Sequence, residues 1–292
     1  MAVPEIVSAV SRDGRLESAG DDRPVIWWSL TKPVVAAAAL RLVEQGRLAL
    51  DDLLPGRPYS LRQLLRHSAG VPTYGGPEYH GAVARGGVPW SAEAMLAHAK
   101  ADTQLFAPDT GWAYSNIGYY LVCRMIEAAT GQPLGAALRA LVLDPLDLAD
   151  TRIVTAAREL EATVWGNPSG YDPGWVYHGL LIGPAADAVR FLHGLGSMLG
   201  ETAWQAMRAS YPVGGGLEGR PWTETLYGLG LMTGKWGDAG RVWGHSGVGF
   251  TVGALYAFPD LPGRPIVAAF APGSDEAVVE NAALRRALDD ET

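Results

Sequence analysis

The sequence predicts an α+β fold. One antiparallel sheet is built from both termini and flanked by helices, with a mostly helical region inserted between its two parts. Three observations predict it. Strand-like runs gather between Ile6 and Trp28 and again between Leu226 and Ala271. The stretch between them is punctuated by helix starts and stops. Hydrophobic residues make up 48% of the 292 positions against 18% charged, enough apolar material for a sizeable core and too much for a disordered chain. The sheet region is expected over residues 1–47 and 165–292 and the helical insertion over 48–164, together one intertwined unit.

The elements follow in order. Ile6 to Ser11 reads as a strand, Asp13-Gly14 as a hairpin turn and Arg15 to Ala19 as the return. Val25 to Trp28 is a short apolar strand-like run. Ser29 to Gln45 then reads as a helix, rich in Ala and Leu and stopped by Gly46. Pro33 is no obstacle, because the first turn of a helix has no intrahelical acceptor for its N–H groups. Ser60 to His67, Ser91 to Lys100, Asn116 to Thr130 and Pro133 to Val142 are predicted helices, and another starts near Pro184. The tail returns to strands over Leu226 to Met232, Arg241 to Ser246, Phe250 to Phe258 and Pro265 to Ala271. Ser274-Asp275-Glu276 caps a final helix running to about Leu288.

Composition excludes several functions. The net charge is 23 − 31 = −8, which argues against nucleic acid and against anionic membrane surfaces as partners. Cys123 is the single cysteine, so neither an intrachain disulfide nor a cysteine-based zinc site is expected. The six His show no close pair at helical spacing, so no metal is expected, and no cofactor is implied. No signal peptide is visible and no apolar run reaches the roughly 20 residues of a membrane span, so a cytoplasmic location is expected. Gly214 to Gly219 matches a dinucleotide-binding pattern, but Pro212 and Pro221 flank it and no helix opens there. Gly244-His245-Ser246-Gly247-Val248 fails as a nucleophile elbow, because Val248 stands where glycine is required. Oligomeric state is left open.

One count is more telling. Among the 23 basic residues only three are Lys (Lys32, Lys100 and Lys235), so 20 are Arg, which cannot give up its proton. Ser29 and Lys32 stand three apart at a predicted helix start, on one helical face. A serine hydroxyl needs a neighbour to take its proton before it attacks. A lysine does that only when neutral, a state favoured by burial and by the positive end of a helix. The same helix start offers N–H groups to a developing oxyanion. The competing reading makes Ser29 a helix cap and Lys32 a solvated charge. Two more triplets weigh against it: Tyr114-Ser115-Asn116 before a predicted helix, and His245-Ser246-Gly247 on a late strand. The last is nearly worthless alone; the ordered set is strong.

With these residues the chain resembles the serine β-lactamase and penicillin-binding-protein superfamily. It is most similar to the class C branch with its D-aminopeptidases, D,D-carboxypeptidases and β-lactamase-like esterases. Leu64-Leu65-Arg66-His67-Ser68-Ala69-Gly70-Val71-Pro72, Tyr114-Ser115-Asn116-Ile117-Gly118-Tyr119, Asp144-Pro145-Leu146 and Gly244-His245-Ser246-Gly247 carry the likeness, which covers nearly the whole chain. It implies a β-lactamase/transpeptidase-like fold. It implies Ser29 as acylated nucleophile, Lys32 as its proton acceptor and Tyr114 as proton shuttle to the leaving group and from the attacking water. Asn116 would hold a substrate amide or carbonyl. His245 and Ser246 would sit across the cleft, tuning protonation and binding the substrate's polar end. The N–H groups of Ser29 and Val248 would form the oxyanion hole, with Gly247 beside them. Class C β-lactamases carry Lys at the position of His245, and His there looks more like the peptidases and some esterases. The implied function is a serine hydrolase acting through an acyl-enzyme on a small amide or ester: a D-amino-acid amide or peptide, an ester or a β-lactam-like compound. Acyl transfer to a non-water acceptor, or a non-catalytic binding protein on the same fold, are the alternatives. Of the remaining residues, His67 is expected to pack, His178 and Tyr74 to edge the cleft, Trp28 and Trp243 to shape it, and Cys123 to lie in the core.

Overall fold

The computed structural model describes residues 6–289. The main sheet has eight antiparallel strands: β1 (Val7–Arg12), β2 (Arg15–Ala19), β6 (Tyr211–Gly214), β7 (Glu224–Tyr227), β8 (Met232–Lys235), β9 (Arg241–Val248), β10 (Thr251–Ala257) and β11 (Ile266–Pro272). Their spatial order is β2-β1-β11-β10-β9-β8-β7-β6, so the N-terminal hairpin closes onto the last strand of the chain. A three-stranded sheet, ordered β3-β5-β4, is made of β3 (Val25–Ile26), β4 (Arg152–Val154) and β5 (Leu180–Gly183). The helices are α1 (Thr31–Glu44), α2 (Leu61–Leu65), α3 (Pro77–Ala84), α4 (Ala92–His98), α5 (Asn116–Thr130), α6 (Leu134–Leu138), α7 (Ala157–Leu160), α8 (Ala185–Met198), α9 (Glu201–Arg208) and α10 (Glu276–Leu288).

Both faces of the main sheet are covered, which is why its central strands lack an alternating polar pattern. Val252, Ala254 and Tyr256 of β10 pack with Val279 and Ala283 of α10. Leu255 and Ala257, on the other face, pack with the layer of α1 and α8. All seven residues of β10 are buried. Helix α1 runs through the molecule's centre, with eleven of its fourteen residues buried, so it is apolar all round. It ends where Gly46 takes a left-handed φ of 68°.

Several expectations shift in detail. The run Leu226 to Met232 is not one strand: Leu226 and Tyr227 end β7, Met232 opens β8, and between them Gly228-Leu229-Gly230 turns onto α1. A Cβ on Gly230 would lie 2.6 Å from Ala36 Cβ. Strands β4 and β5 and helices α3 and α9 were not expected. Strands of three and four residues carry no readable period.

The start of α1 departs from expectation in a way that matters. Trp28–Leu30 is a 3₁₀ turn, and α1 proper begins at Thr31. Ser29 therefore sits inside this turn and makes no capping hydrogen bond. Trp28 holds a left-handed φ of 44°, a conformation costing about 1–3 kcal/mol that neighbouring contacts must offset. They are present. Trp27 Nε1 donates to the Gly183 carbonyl at 3.1 Å, and Trp28 Nε1 donates to Thr251 Oγ1 at 2.8 Å. The Trp28 ring meets Tyr171 and Phe250 edge-on. Strand β9 presses on the same turn, and Gly247 is the point of contact. A Cβ there would stand 2.8 Å from the Trp27 carbonyl oxygen and 2.9 Å from the Ser29 nitrogen, both backbone atoms that cannot swing aside. Gly247→Ala is therefore expected to lower stability by about 1–3 kcal/mol in urea unfolding. A loss below about 0.5 kcal/mol would show that β9 and the turn separate freely.

Candidate active site

The turn Trp28–Leu30, the start of α1, the segment before α5, and β9 converge on Ser29. Lys32 Nζ lies 3.1 Å from Ser29 Oγ. A protonated amine donates across that distance; a neutral one offers its lone pair to the hydroxyl proton. Tyr114 Oη donates to Ser29 Oγ at 2.9 Å. Tyr114 is placed by the next residue: Ser115 Oγ caps α5 by accepting from Gly118 N at 2.8 Å and donates to the Pro72 carbonyl at 2.7 Å. His67, expected to pack, is buried with a left-handed φ of 64°, and its Nδ1 accepts from Ser115 N at 3.1 Å. It thus braces the Tyr114 segment from behind.

Electrostatics favour a neutral Lys32. The residue is 0% exposed, and burial holds its pKa well below the usual lysine range. Cys123 is nearby, but burial keeps it a thiol with no charge to offset the ammonium. No ion pair involves Lys32 among the described residues; its other neighbours are His178 Nε2 at 3.0 Å and the Tyr114 ring, whose centroid is 4.8 Å away. Burial raises the Tyr114 phenol, so it is a proton donor at neutral pH. The competing reading of Ser29 as a cap and Lys32 as a solvated charge is therefore corrected: neither residue is so placed.

His245 and Ser246 are adjacent on β9, and strand alternation sends their side chains to opposite faces. His245 Nδ1 contacts the Ser246 carbonyl, which only an N–H can do, so Nε2 accepts from Tyr227 Oη at 2.9 Å. Burial lowers its pKa to about 3, so the ring is neutral at working pH. Ser246 Oγ turns toward α10 and bonds Glu280 Oε1 and Tyr256 Oη. Glu280 also takes Arg220 Nε and Nη2 and Trp222 Nε1, while Arg220 Nη1 donates to Glu276 at 2.9 Å. One guanidinium thus faces two carboxyl groups, of which Glu276 lines the smaller cavity beside Ser29. Sequence reading missed this network, because no spacing links Arg220 to residues 56 and 60 positions away.

Two cavities meet at Ser29, Tyr114 and Val248. The smaller, about 330 Å³, is walled by Trp112, Leu217, Trp222 and Tyr227, with Arg220 and Glu276 at its edge. The larger, about 690 Å³, is walled by Trp28, Tyr74, Tyr79, Tyr171 and Phe250. Asn116 lines the larger one, with a buried Oδ1 that has no partner. Val248 is 46% exposed between the two. Tyr74 and His178 line the larger cavity as well, whereas Trp243 lines neither.

The model of the family described as beta-lactamase matches residues 1–290. The chain belongs to the beta-lactamase family. Among curated proteins it is similar to esterase EstB of Burkholderia gladioli, 34% identical over 152 residues, which is 45% of this chain and 38% of the esterase. Penicillin-binding protein 4* of Bacillus subtilis (strain 168) is 30% identical over 140 residues, 43% of this chain and 29% of that protein. The matches thus span less than half the length of these relatives. Among solved structures, a D-stereospecific amidohydrolase from Streptomyces sp. superposes with a TM-score of 0.81 at 24% identity, covering 100% of this chain and 95% of that one. The D-amino acid amidase of Ochrobactrum anthropi SV3 gives 0.81 at 22% identity, covering 98% and 95%. The β-lactamase/transpeptidase-like fold expected from sequence is the fold observed. Among the described residues, no helix is long and apolar enough to cross a membrane.

Three buried imidazoles make stability depend on acid. Burial lowers the pKa of His67, His178 and His245, so each ring is neutral when folded and protonated more readily when unfolded. The unfolded chain then binds more protons, and stability is lost as pH falls from 6.5, the ordinary histidine value, toward the folded value of about 3 for His245. Glu276, raised by burial, acts in the opposite sense, and Lys32, lowered by burial, adds a slope in the same sense as the imidazoles. The expected slope is up to about 1.4 kcal/mol per pH unit for each ring, measured as the urea midpoint at about pH 7.5, 6 and 5. A constant midpoint would mean that the rings are solvated.

Proposed function

We propose that the protein is a serine hydrolase that forms an acyl-enzyme on Ser29 from a small amide or ester. The observation that carries this reading is Ser29 Oγ held between a buried, uncompensated Lys32 amine at 3.1 Å and a phenol at 2.9 Å. Lys32 takes the hydroxyl proton as Oγ attacks the substrate carbonyl. The N–H groups of Ser29 and Val248 hold the oxyanion, and Gly247 lets β9 come close enough for both to serve one oxygen. Tyr114 passes a proton to the departing amine or alcohol and is recharged through Lys32. In the second half, water replaces the leaving group and gives its proton to the same pair. Asn116 Oδ1, buried and unpartnered, suits a substrate N–H. His245 is neutral with both nitrogens engaged, so its part is to hold β9 and Tyr227 in place rather than to move protons.

Within this class we favour a D-amino-acid amide or peptide. The structural neighbours named above include a D-stereospecific amidohydrolase and a D-amino acid amidase. Glu276 lines the smaller cavity beside Arg220, whose guanidinium is also tied to the buried Glu280, a balance that suits a substrate ammonium better than a carboxylate. Acyl transfer to an alcohol or amine uses the same intermediate and is told apart by adding such an acceptor.

The test is mass spectrometry after a fluorophosphonate or a penicillin, with p-nitrophenyl esters, nitrocefin and D- and L-amino-acid p-nitroanilides as a substrate panel. An adduct is expected on Ser29, and Ser29→Ala should lose at least about 10³-fold in kcat/KM on the active substrates. An unmodified mass with every reagent, or an active Ser29→Ala variant, contradicts the reading.

A further inference from the structure

The Lys32 amine has a second polar neighbour besides Ser29. His178 Nε2 lies 3.0 Å from Nζ, and His178 Nδ1 lies 3.0 Å from Tyr74 Oη. Tyr74 Oη in turn accepts from the Tyr177 backbone N–H at 3.1 Å. His178 is buried, and its carbonyl accepts from Cys123 Sγ at 3.3 Å. It stands just before β5, the strand that pairs with β3 and so carries the chain toward Ser29. Both partners of Lys32 are thus fixed by one small sheet.

A neutral amine has one lone pair and two N–H bonds, and where the lone pair points decides whether it is a base for Ser29. If His178 carries its proton on Nδ1, that N–H donates to Tyr74 Oη, which has two lone pairs and accepts the Tyr177 N–H with the other. Nε2 is then bare and accepts an N–H from Lys32. That leaves the lone pair free for the hydroxyl. The opposite tautomer would donate Nε2–H into the same lone pair and block it.

We propose that His178, held by Tyr74, is a positioning residue for Lys32: its bare Nε2 takes one amine N–H and so turns the lone pair toward Ser29. This rests on the acyl-enzyme reading given above. During acylation the Ser29 O–H bond breaks and a third N–H forms on Lys32. The bond to His178 then becomes charge-assisted, roughly twice as strong as a neutral one, just as the buried ammonium appears. The groups facing the pair are the rings of Tyr114 and Tyr119, 4.8 and 5.6 Å from Nζ, the Cys123 thiol, Tyr74, and more distantly His67 and His245. With no carboxylate among these groups, the imidazole accepts the new charge's N–H among the described residues.

The experiment compares His178→Phe, His178→Gln and Tyr74→Phe, following fluorophosphonate labelling of Ser29, kcat, KM and the pH profile of kcat/KM on an active ester. His178→Phe removes the acceptor; kcat and the labelling rate should fall by about 10²-fold, with KM within about threefold of wild type. Losing a bond that favours the ammonium should also move the acid limb of the profile to lower pH. His178→Gln can place an amide oxygen where Nε2 was, and should recover at least about tenfold of the loss together with the wild-type limb. Tyr74→Phe leaves the imidazole but removes the oxygen that accepts the Nδ1 proton in this tautomer, so kcat should fall with KM unchanged. It carries the test if His178→Phe does not fold. Wild-type kcat in His178→Phe or Tyr74→Phe, or equal losses in Phe and Gln with an unmoved acid limb, would overturn the proposal. Absence of label on Ser29 of the wild-type protein would instead refute the acyl-enzyme reading.

Discussion

The structure turns on one amine that cannot afford to be charged. Lys32 is fully buried at the second position of the central helix, with no carboxylate to pair with it. An ammonium in that setting lacks solvent and lacks a counter-ion, and the cheapest response is to lose the proton. Its neighbours are chosen accordingly: aromatic faces, a phenol kept protonated, a thiol kept protonated and neutral imidazoles. A single carboxylate among them would stabilise the ammonium and remove the base. The acidic residues of this site are kept instead beyond β9, tied to Arg220 and α10.

Building such a site requires two parts of the chain to meet closely. The strands from both ends supply β9 and the sheet beneath it, and the helical middle supplies Tyr114 and Asn116 at the head of α5. Between them the turn at Ser29 is forced into a 3₁₀ conformation with a left-handed Trp28. Two tryptophan indoles, bonded to β5 and β10, keep that turn from relaxing into a regular helix start. Gly247 removes the side chain that would otherwise hold β9 away. Strain, anchoring and the missing Cβ are three aspects of one requirement: backbone N–H groups and the hydroxyl must reach the same small volume.

Much of this was legible in the sequence, for identifiable reasons. Ser29, Lys32 and Tyr114 stood out because lysine and asparagine are rare in this chain, so their triplets rise above chance. The hairpin at Asp13-Gly14, the stop at Gly46 and the cap at Asp275 before the final helix are local signals, and the chain obeys them. What stayed hidden depends on distance. His178 was expected only to edge the cleft, and nothing in sequence joins it to Lys32 across 146 residues. Arg220, Glu276 and Glu280 come together only when α10 folds over the sheet. Strand β5, four residues long, has no period to read, yet it starts two residues after His178 and anchors Trp27. The opposite facing of His245 and Ser246 follows from strand alternation and was available from the sequence once β9 was assigned.

The scarcity of lysine also makes the central claim directly measurable. With lysine labelled at Cε and Nζ, the protein gives only three side-chain NMR signals, and a Lys32→Arg variant identifies the buried one. The Lys32 signal should titrate far below the ordinary lysine value of about 10.4 and already be that of a neutral amine at neutral pH. If the Lys32 signal titrates near that ordinary value instead, Lys32 is an ammonium in the folded protein, and it is not the base that activates Ser29.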